Sequence, residues 1–229
     1  MKLNKIFAEI RFEPSFLFED GRTRNDIVKE LKKDFPHFEY REENKMLLFL
    51  NPQTASNVQL YQERLVIDLD LPKNVHQIKV LGASIIPFIM RKMDVEKTKR
   101  IGVRAHSYFE EIQNNLDASK KLANYFFSQN ILDFLGEQAA TLDVEPRVSF
   151  RYKVNHELTM VVNTGYLHKV KGENLNLTTG DISSLNVESV HPLIDIDIST
   201  EFEKKPDQIN GVLNGICSNL EEFPNRIWR

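Results

Sequence analysis

The chain has 229 residues, of which 41% are hydrophobic and 28% are charged, and this composition is typical of a globular protein with a substantial core. The formal net charge of −3 excludes a bulk electrostatic attraction to nucleic acid or to anionic membranes. The only cysteine, Cys217, excludes an internal disulfide framework and a cysteine-based metal cluster built within one chain.

No stretch of the sequence approaches the roughly 20 apolar residues that a membrane-spanning helix needs. The apolar run at the N-terminus contains Glu9 and Arg11, whereas the apolar core of a signal peptide is uninterrupted. We therefore expect a cytoplasmic protein that does not associate with membranes.

The first 97 residues carry the periodicities of five strands and two helices. Residues 6–12 alternate between apolar and polar side chains, which is the pattern of a half-buried strand. An apolar helical stripe follows from a predicted cap at Thr23 and stops before Pro36. Further predicted strands span residues 38–41, 46–50, 58–61 and 65–71, and a helix spans 74–93.

The same order returns after a charged connector, RKMDVEKTKR at residues 91–100. Residues 101–106 alternate like a strand, and Asp117 is the predicted cap of a helix with apolar positions between 122 and 135. The remaining predicted strands span residues 148–154, 158–163, 175–179 and 190–198, and a final helix spans 206–222.

Two copies of one acidic motif mark the two halves, LVIDLDLP at residues 65–72 and PLIDIDIS at residues 192–199. The helix after each motif carries four apolar residues with spacings of 3, 4 and 4: Ile78, Leu81, Ile85 and Ile89, then Ile209, Val212, Ile216 and Leu220. Internal repetition of this kind indicates a duplicated unit. Residues 1–97 form the first predicted repeat and residues 98–229 form the second.

The predicted fold class is therefore α+β, with two strand–helix–four strands–helix repeats fused into one globular unit. One pair of helices covers only one face of an antiparallel sheet. The two repeats can therefore join edge to edge into a curved antiparallel sheet with the helices on its convex side. The other face would remain open to a partner.

This element order resembles that of the TATA-binding-protein-like fold. At the level of sequence, four short segments resemble a sporadically distributed prokaryotic family of unknown function: FAEIRFEP, RIGVRAH, PLIDIDIS and FPNRIW. The resemblance implies a gene that lies near mobile or anti-phage defence loci. It supplies no activity, so no catalytic residue is carried over from it.

The duplicated motif also places two pairs of carboxylates on strands. Asp68 and Asp70 share one face of their strand, as do Asp195 and Asp197, with about 7 Å between the members of a pair. Such a pair could hold a hard cation such as Mg²⁺. Alternatively, arginines on neighbouring strands neutralise the carboxylates. The duplication favours this second interpretation, because active sites usually lose internal symmetry.

The arginines that would neutralise these carboxylates are also candidates for a binding surface on the open face. They are Arg11, Arg104 and Arg151, and His106 follows Arg104 on the same strand face. Opposite charges on neighbouring strands stabilise a sheet by roughly 0.2–1 kcal/mol per pair. The same side chains could instead contact phosphates.

Several aromatic residues could also contact a partner. Phe7, Phe150 and Tyr152 lie on predicted strands and could stack on nucleic-acid bases. The only tryptophan, Trp228, follows a proline stop. It either packs back on the sheet or serves as an exposed anchor for a partner, since tryptophan is favoured at the centres of interfaces.

The sequence contains no phosphate-binding glycine loop, no serine nucleophile elbow and no His-Glu-x-x-His motif. We therefore predict a non-enzymatic binding or regulatory protein that uses no cofactor and no metal, and whose partner is another protein. The resemblance makes that partner an effector of an anti-phage defence or toxin–antitoxin system.

Two alternatives to this prediction remain open. One is nucleic-acid binding on the open sheet face, led by Arg11, Arg104 and Arg151. The other is a metal-dependent enzyme that uses the Asp pairs. Self-association into a homo-oligomer is compatible with each of these functions.

Overall fold

The computed structural model describes residues 2–108, 149–171 and 186–227. The predicted helix after Asp117, the predicted strand at residues 175–179 and Trp228 therefore lie outside the described residues. The other predicted strands and helices fall within them, except for residue 148 at the start of one predicted strand.

The nine described strands form one sheet in which all neighbours are antiparallel, in the order β2-β3-β4-β5-β1-β6-β9-β8-β7. In chain order they are β1 (Lys2–Phe12), β2 (His37–Arg41), β3 (Met46–Asn51), β4 (Ser56–Leu60), β5 (Arg64–Asp70), β6 (Thr98–Tyr108), β7 (Ser149–Lys153), β8 (Thr159–Lys171) and β9 (Asn186–Thr200). The sheet is centred on β1 and β6, the two strands that open the predicted repeats.

Three α-helices lie within the described residues: α1 (Gly21–Leu31), α2 (His76–Lys92) and α3 (Ile209–Ile227). None of them is long and apolar enough to cross a membrane. The predicted cap of α1 at Thr23 is wrong. The carboxylate of Asp20 caps the helix by accepting from the backbone N–H groups of Arg22 and Thr23, at 3.3 and 2.9 Å.

One hydrophobic core lies between the sheet and these helices. The apolar positions of the central strands, such as Ile6 and Ile10, are fully buried in it. Helix α2 packs on β1 and β5, α3 packs on β6 and β9, and the two helices contact each other. The contact is close at Gly82, where a Cβ would lie 3.2 Å from the Cδ1 atoms of Ile86 and Leu213. Glycine therefore lets the two helices approach.

These features confirm the predicted α+β class with an antiparallel sheet. The register between β1 and β6 is symmetric about the pair Ile6 and Ala105, and the strands follow each other outwards in a matching order on both sides. This symmetry fits the predicted duplication. The duplication and its boundary at residues 97 and 98 stay predictions, because the helix expected in the second half lies outside the described residues.

Leu213→Ala tests the packing between α2 and α3. Leu213 is 2% exposed and packs beside Gly82, where the two helices come closest. We therefore expect the substitution to lower the free energy of unfolding by about 2–5 kcal/mol. Urea denaturation followed by circular dichroism measures the change. The control, Val80→Ala on α2, removes a side chain that is 55% exposed and should cost less than about 0.5 kcal/mol. Equal losses would contradict the described packing.

Candidate functional site

The candidate site lies on the sheet face that points away from the core, which we call the polar face. Because Ile6, Ala8 and Ile10 of β1 are buried, the residues between them point to the other side. The same alternation holds on β6. The polar-face residues of the two central strands are Lys5, Phe7, Glu9 and Arg11 on β1, and Arg100, Gly102, Arg104 and His106 on β6.

The centre of the site is Asp195 on β9, whose side chain is 9% exposed. Arg104 donates to both of its carboxylate oxygens, from Nε at 2.7 Å and from Nη2 at 2.5 Å. His106 Nε2 lies 3.4 Å from Oδ1, and the amide of Asn163 on β8 donates to Oδ2 at 3.3 Å. Four donor contacts therefore converge on one carboxylate.

These contacts determine the ionisation of Asp195. Burial alone would raise its pKa, but the hydrogen bonds from His106 and Arg104 outweigh burial and hold the pKa of Asp195 well below its usual range. Asp195 is therefore a carboxylate at any ordinary pH. It is a poor general base, because a proton would have to displace a bidentate arginine contact.

A second ion-pair network lies beside the first. Arg100 donates to Asp197 at 2.9 and 3.1 Å and to Glu9 at 2.9 Å, and Arg11 donates to the same Glu9 at 2.8 Å. Burial raises the pKa of Asp197 above its usual value in spite of the nearby Arg100. The network thus joins β1, β6 and β9.

Gly102 makes this second network sterically compatible with the sheet. A Cβ at this position would stand 2.7 Å from Nη1 of Arg100, so the guanidinium group lies directly over the glycine. The surface here forms an open depression of about 250 Å³, whose lining includes Phe7, Arg11 and Arg104. The depression is therefore walled by guanidinium groups and carboxylates.

The first acidic motif occupies the equivalent position on the other side of the centre. Lys5 contacts Asp68 at 2.8 Å and Asp70 at 3.2 Å, and the amide of Asn57 donates to Asp68 at 3.2 Å. Lys5 stands opposite Asp70 in the register, as Arg104 stands opposite Asp197. Each motif therefore receives a cation from its neighbouring central strand and an amide from the next strand outwards.

The two motifs differ in how completely their buried carboxylates are satisfied. Phe7 stands opposite Asp68, whereas His106 stands opposite Asp195. Lysine and phenylalanine provide fewer donors than arginine and histidine. As a result, Oδ1 of Asp68 is buried without a hydrogen-bond partner.

The interpretation of the Asp pairs as carboxylates neutralised by arginines is confirmed for Asp195, which pairs with Arg104. Arg11, however, pairs with Glu9 rather than with an aspartate. Arg151 lies on β7 and is exposed on the same face, but it makes no ion pair with any described residue.

The sequence interpretation missed Lys5, Arg100 and the two asparagines. The charged connector predicted at residues 91–100 includes Arg100, but Arg100 lies on β6 and, four residues before Arg104, points to the same face. The same alternation predicts that Lys5 lies on the same strand face as Arg11, since an even number of residues separates them on β1. Asn57 and Asn163 carried no signal, because their role depends on which strand lies next to each acidic motif.

The aromatic residues predicted to contact a partner do not all lie on the polar face. Phe7 lies on the polar face, with the guanidinium of Arg104 and the ring of His106 each 5.9 Å from its centroid. Tyr152 is wrong as a candidate for that face: it pairs with Met160 in the register and donates to the Met160 sulfur at 2.8 Å on the helix side. The side chain of Phe150 lies outside the described part of the chain.

A metal site would require carboxylates that are available to a cation. Within the described ranges, no group of three or more His, Cys, Asp or Glu side chains is arranged to hold a metal ion. Each described Asp pair already contacts a cationic side chain, Lys5 on one side and Arg100 or Arg104 on the other. The arrangement suits charge pairing rather than metal coordination.

No protein-family model matches the sequence, and a comparison with curated proteins finds no significant similarity. Membership of the sporadically distributed prokaryotic family therefore stays a prediction. The function has to be argued from the geometry of the polar face.

Asp195→Asn tests whether the central ion pair stabilises the fold. The ionised carboxylate stabilises the folded protein because its pKa is lowered on folding, so its contribution is fully present above about pH 4 and is lost as the pH falls further. We expect the variant to lose about 1–3 kcal/mol of unfolding free energy at neutral pH, and less near pH 3. Urea denaturation at both pH values measures the difference.

Asp70→Asn is the matched control, because the Asp70 side chain is 55% exposed and also contacts a cation. An exposed ion pair contributes at most about 1 kcal/mol, so this variant should change stability little. A loss that is equal for the two variants, or one that is the same at both pH values for Asp195→Asn, would refute the stabilising role of the central pair.

Proposed function

We propose that the protein is a non-enzymatic binding or regulatory protein whose polar face contacts another protein. The observation that carries this proposal is the mutual pairing of the charged side chains on that face. Asp195 is held ionised by its donors, and the other described carboxylates of the two motifs contact Lys5 or Arg100. Paired charges of this kind are well suited to recognition, and Asp195 in particular is poorly suited to proton transfer.

The arrangement of charge supports a protein as the partner. The face carries both signs: Arg64, Arg11 and Arg100 lie at one end of the four central strands, and carboxylates such as Asp70 and Asp195 lie towards the other end. A protein surface can match such a pattern with charges of both signs, whereas a nucleic acid presents only phosphates. The resemblance to the prokaryotic family supports the further proposal that the partner is an effector of an anti-phage defence or toxin–antitoxin system.

The side chains of the polar face are held in fixed positions, which supports a specific contact. Its side chains stand on a continuous ladder of antiparallel strands, and many are held by ion pairs with their neighbours. Binding to a preorganised surface loses little side-chain entropy, which leaves more of the contact energy as affinity.

Charge reversal on the polar face should abolish capture of the partner. The variant Arg11→Glu with Asp70→Lys changes two side chains that are 54% and 55% exposed and keeps the net charge. The measurement is affinity purification of the tagged full chain from its native host with quantitative mass spectrometry. We expect a protein that is enriched by the wild type and lost from the variant.

The matched control is Glu30→Lys with Lys33→Glu, which swaps an exposed ion pair at the C-terminal end of α1. This variant should capture the partner as the wild type does. Circular dichroism shows whether both variants are folded. A partner that is retained by the polar-face variant, or purified protein that turns over substrate by itself, would refute the proposed function.

A second candidate function is nucleic-acid binding on the polar face. Exposed Arg151, which makes no ion pair with the described residues, and half-exposed Arg11 support it. Arg104 supports it less, because Asp195 occupies its bidentate fork. Phosphates would have to compete with that carboxylate.

A salt titration decides this second candidate. If the face binds nucleic acid, a single-stranded oligonucleotide should bind at low salt, and its affinity should fall linearly with the logarithm of the salt concentration. Arg151→Gln should reduce the slope by about 1, because it removes one phosphate contact. Fluorescence anisotropy measures both quantities, and no binding at low salt would exclude the candidate.

A further inference from the structure

Three arginines stand in one row at one end of the polar face. Arg11 on β1 lies directly opposite Arg64 on β5 and directly opposite Arg100 on β6. Directly opposite residues share a face of the sheet, and adjacent strands lie about 4.8 Å apart. The row therefore places three guanidinium groups side by side, and we call it the arginine row.

This row is unfavourable for folding by itself, because like charges directly opposite each other repel. Two carboxylates contact it: Glu9 pairs with Arg11 and Arg100, and Asp197 pairs with Arg100. Glu63, in the turn before β5, adds a more distant attraction to Arg11. The direct contacts thus cover two of the three arginines.

Arg64 is the arginine without a direct carboxylate contact. Its guanidinium lies over the ring of Tyr61, 4.1 Å from the centroid, and it makes no ion pair with any described residue. Tyr61 in turn donates to Gln59, and Gln59 donates to Asn57. The cation is therefore held in place by stacking while its hydrogen-bond donors remain available.

Arg11 also retains a donor. Its side chain is 54% exposed, and Glu9 engages only Nε and Nη2, which leaves Nη1. The open depression lies on the β6 side of Arg11 and Arg64 does not line it, so an anion shared by Arg11 and Arg64 would lie outside the depression, on the β5 side. Available donors of Arg11 and Arg64 on neighbouring strands suit a single oxyanion between them.

We propose that the arginine row binds acidic side chains of the partner protein, an inference that rests on the proposed function of the polar face. Carboxylates suit the row better than a polyphosphate strand does. Along the strands, the row is followed by Glu9, then by Asp68 and Asp197, and then by Asp70 and Asp195. A strand of phosphates crossing the face would meet these carboxylates.

The other end of the polar face offers a negative charge to the partner. Asp70 is 55% exposed and lies at the opposite end of β5 from Arg64. A partner segment with an acidic residue over the arginine row and a basic residue over Asp70 would therefore match both ends. The partner surface is therefore one of mixed charge, acidic over the arginine row and basic over Asp70.

The test titrates the full chain with a short peptide that carries glutamates at one end and lysines at the other, and in separate arms with inorganic phosphate and with single-stranded oligodeoxythymidine. We expect the peptide to bind, and Arg64→Gln or Arg11→Gln to weaken it about tenfold each, because each removes a charge-assisted hydrogen bond. Isothermal titration calorimetry or NMR shifts measure the affinities.

Arg24→Gln is the matched control. Arg24 also lies over a tyrosine ring, that of Tyr40 at 4.7 Å, but it belongs to α1 on the helix side. It should leave peptide binding unchanged. Peptide binding that is absent, or that Arg64→Gln leaves unchanged, overturns the inference, as does tighter binding of the oligonucleotide that depends on Arg64 and Arg11.

The affinity purification of the partner, repeated with Arg64→Gln, distinguishes a failure of this inference from a failure of the proposed function. If Arg64→Gln retains the partner while Arg11→Glu with Asp70→Lys loses it, the arginine row is not the acidic subsite and the polar face is still the contact surface. If both variants retain the partner, the proposed function fails as well. Loss of the partner with Arg64→Gln, but not with Arg24→Gln, supports both.

Discussion

The antiparallel pairing of β1 with β6 is the constraint on which the polar face depends. The register is centred on the pair Ile6 and Ala105; it places Arg100 beside Glu9 and sets the two acidic motifs on opposite sides of the central strands. Shifting one strand by a single residue would turn its charged side chains into the core. Packing of the buried isoleucines on one face therefore fixes the positions of the arginines and carboxylates on the other face.

Burying carboxylates in the middle of a sheet costs several kcal/mol unless donors compensate for the lost water. The two acidic motifs show two degrees of compensation. Asp195 receives an arginine fork, a histidine and an amide, whereas Asp68 receives a lysine and an amide and keeps one oxygen without a partner. The second motif is consequently the better satisfied of the two, although both occupy equivalent positions in the register.

The same pairing decides what kind of function the face suits. Cations that are already neutralised contribute little net charge, which agrees with a chain whose total charge is −3. Arg64 and the half-exposed Arg11 depart from this balance, because they sit in a row of like charge and retain donors. Recognition by this surface would therefore combine a broad, nearly neutral pattern with one local site for an anion.

The sequence by itself determined the α+β class, most of the strands and the helices α2 and α3, and the face on which the aspartates lie. These features follow from local periodicity, because side-chain direction repeats every two residues in a strand and every 3.6 in a helix. Only the tertiary structure decided the partners: Lys5 with Asp68, Arg100 with Asp197, and Arg11 with Glu9 instead of an aspartate. Those contacts depend on strand order and register, which arise from packing between residues far apart in the chain and leave no local pattern.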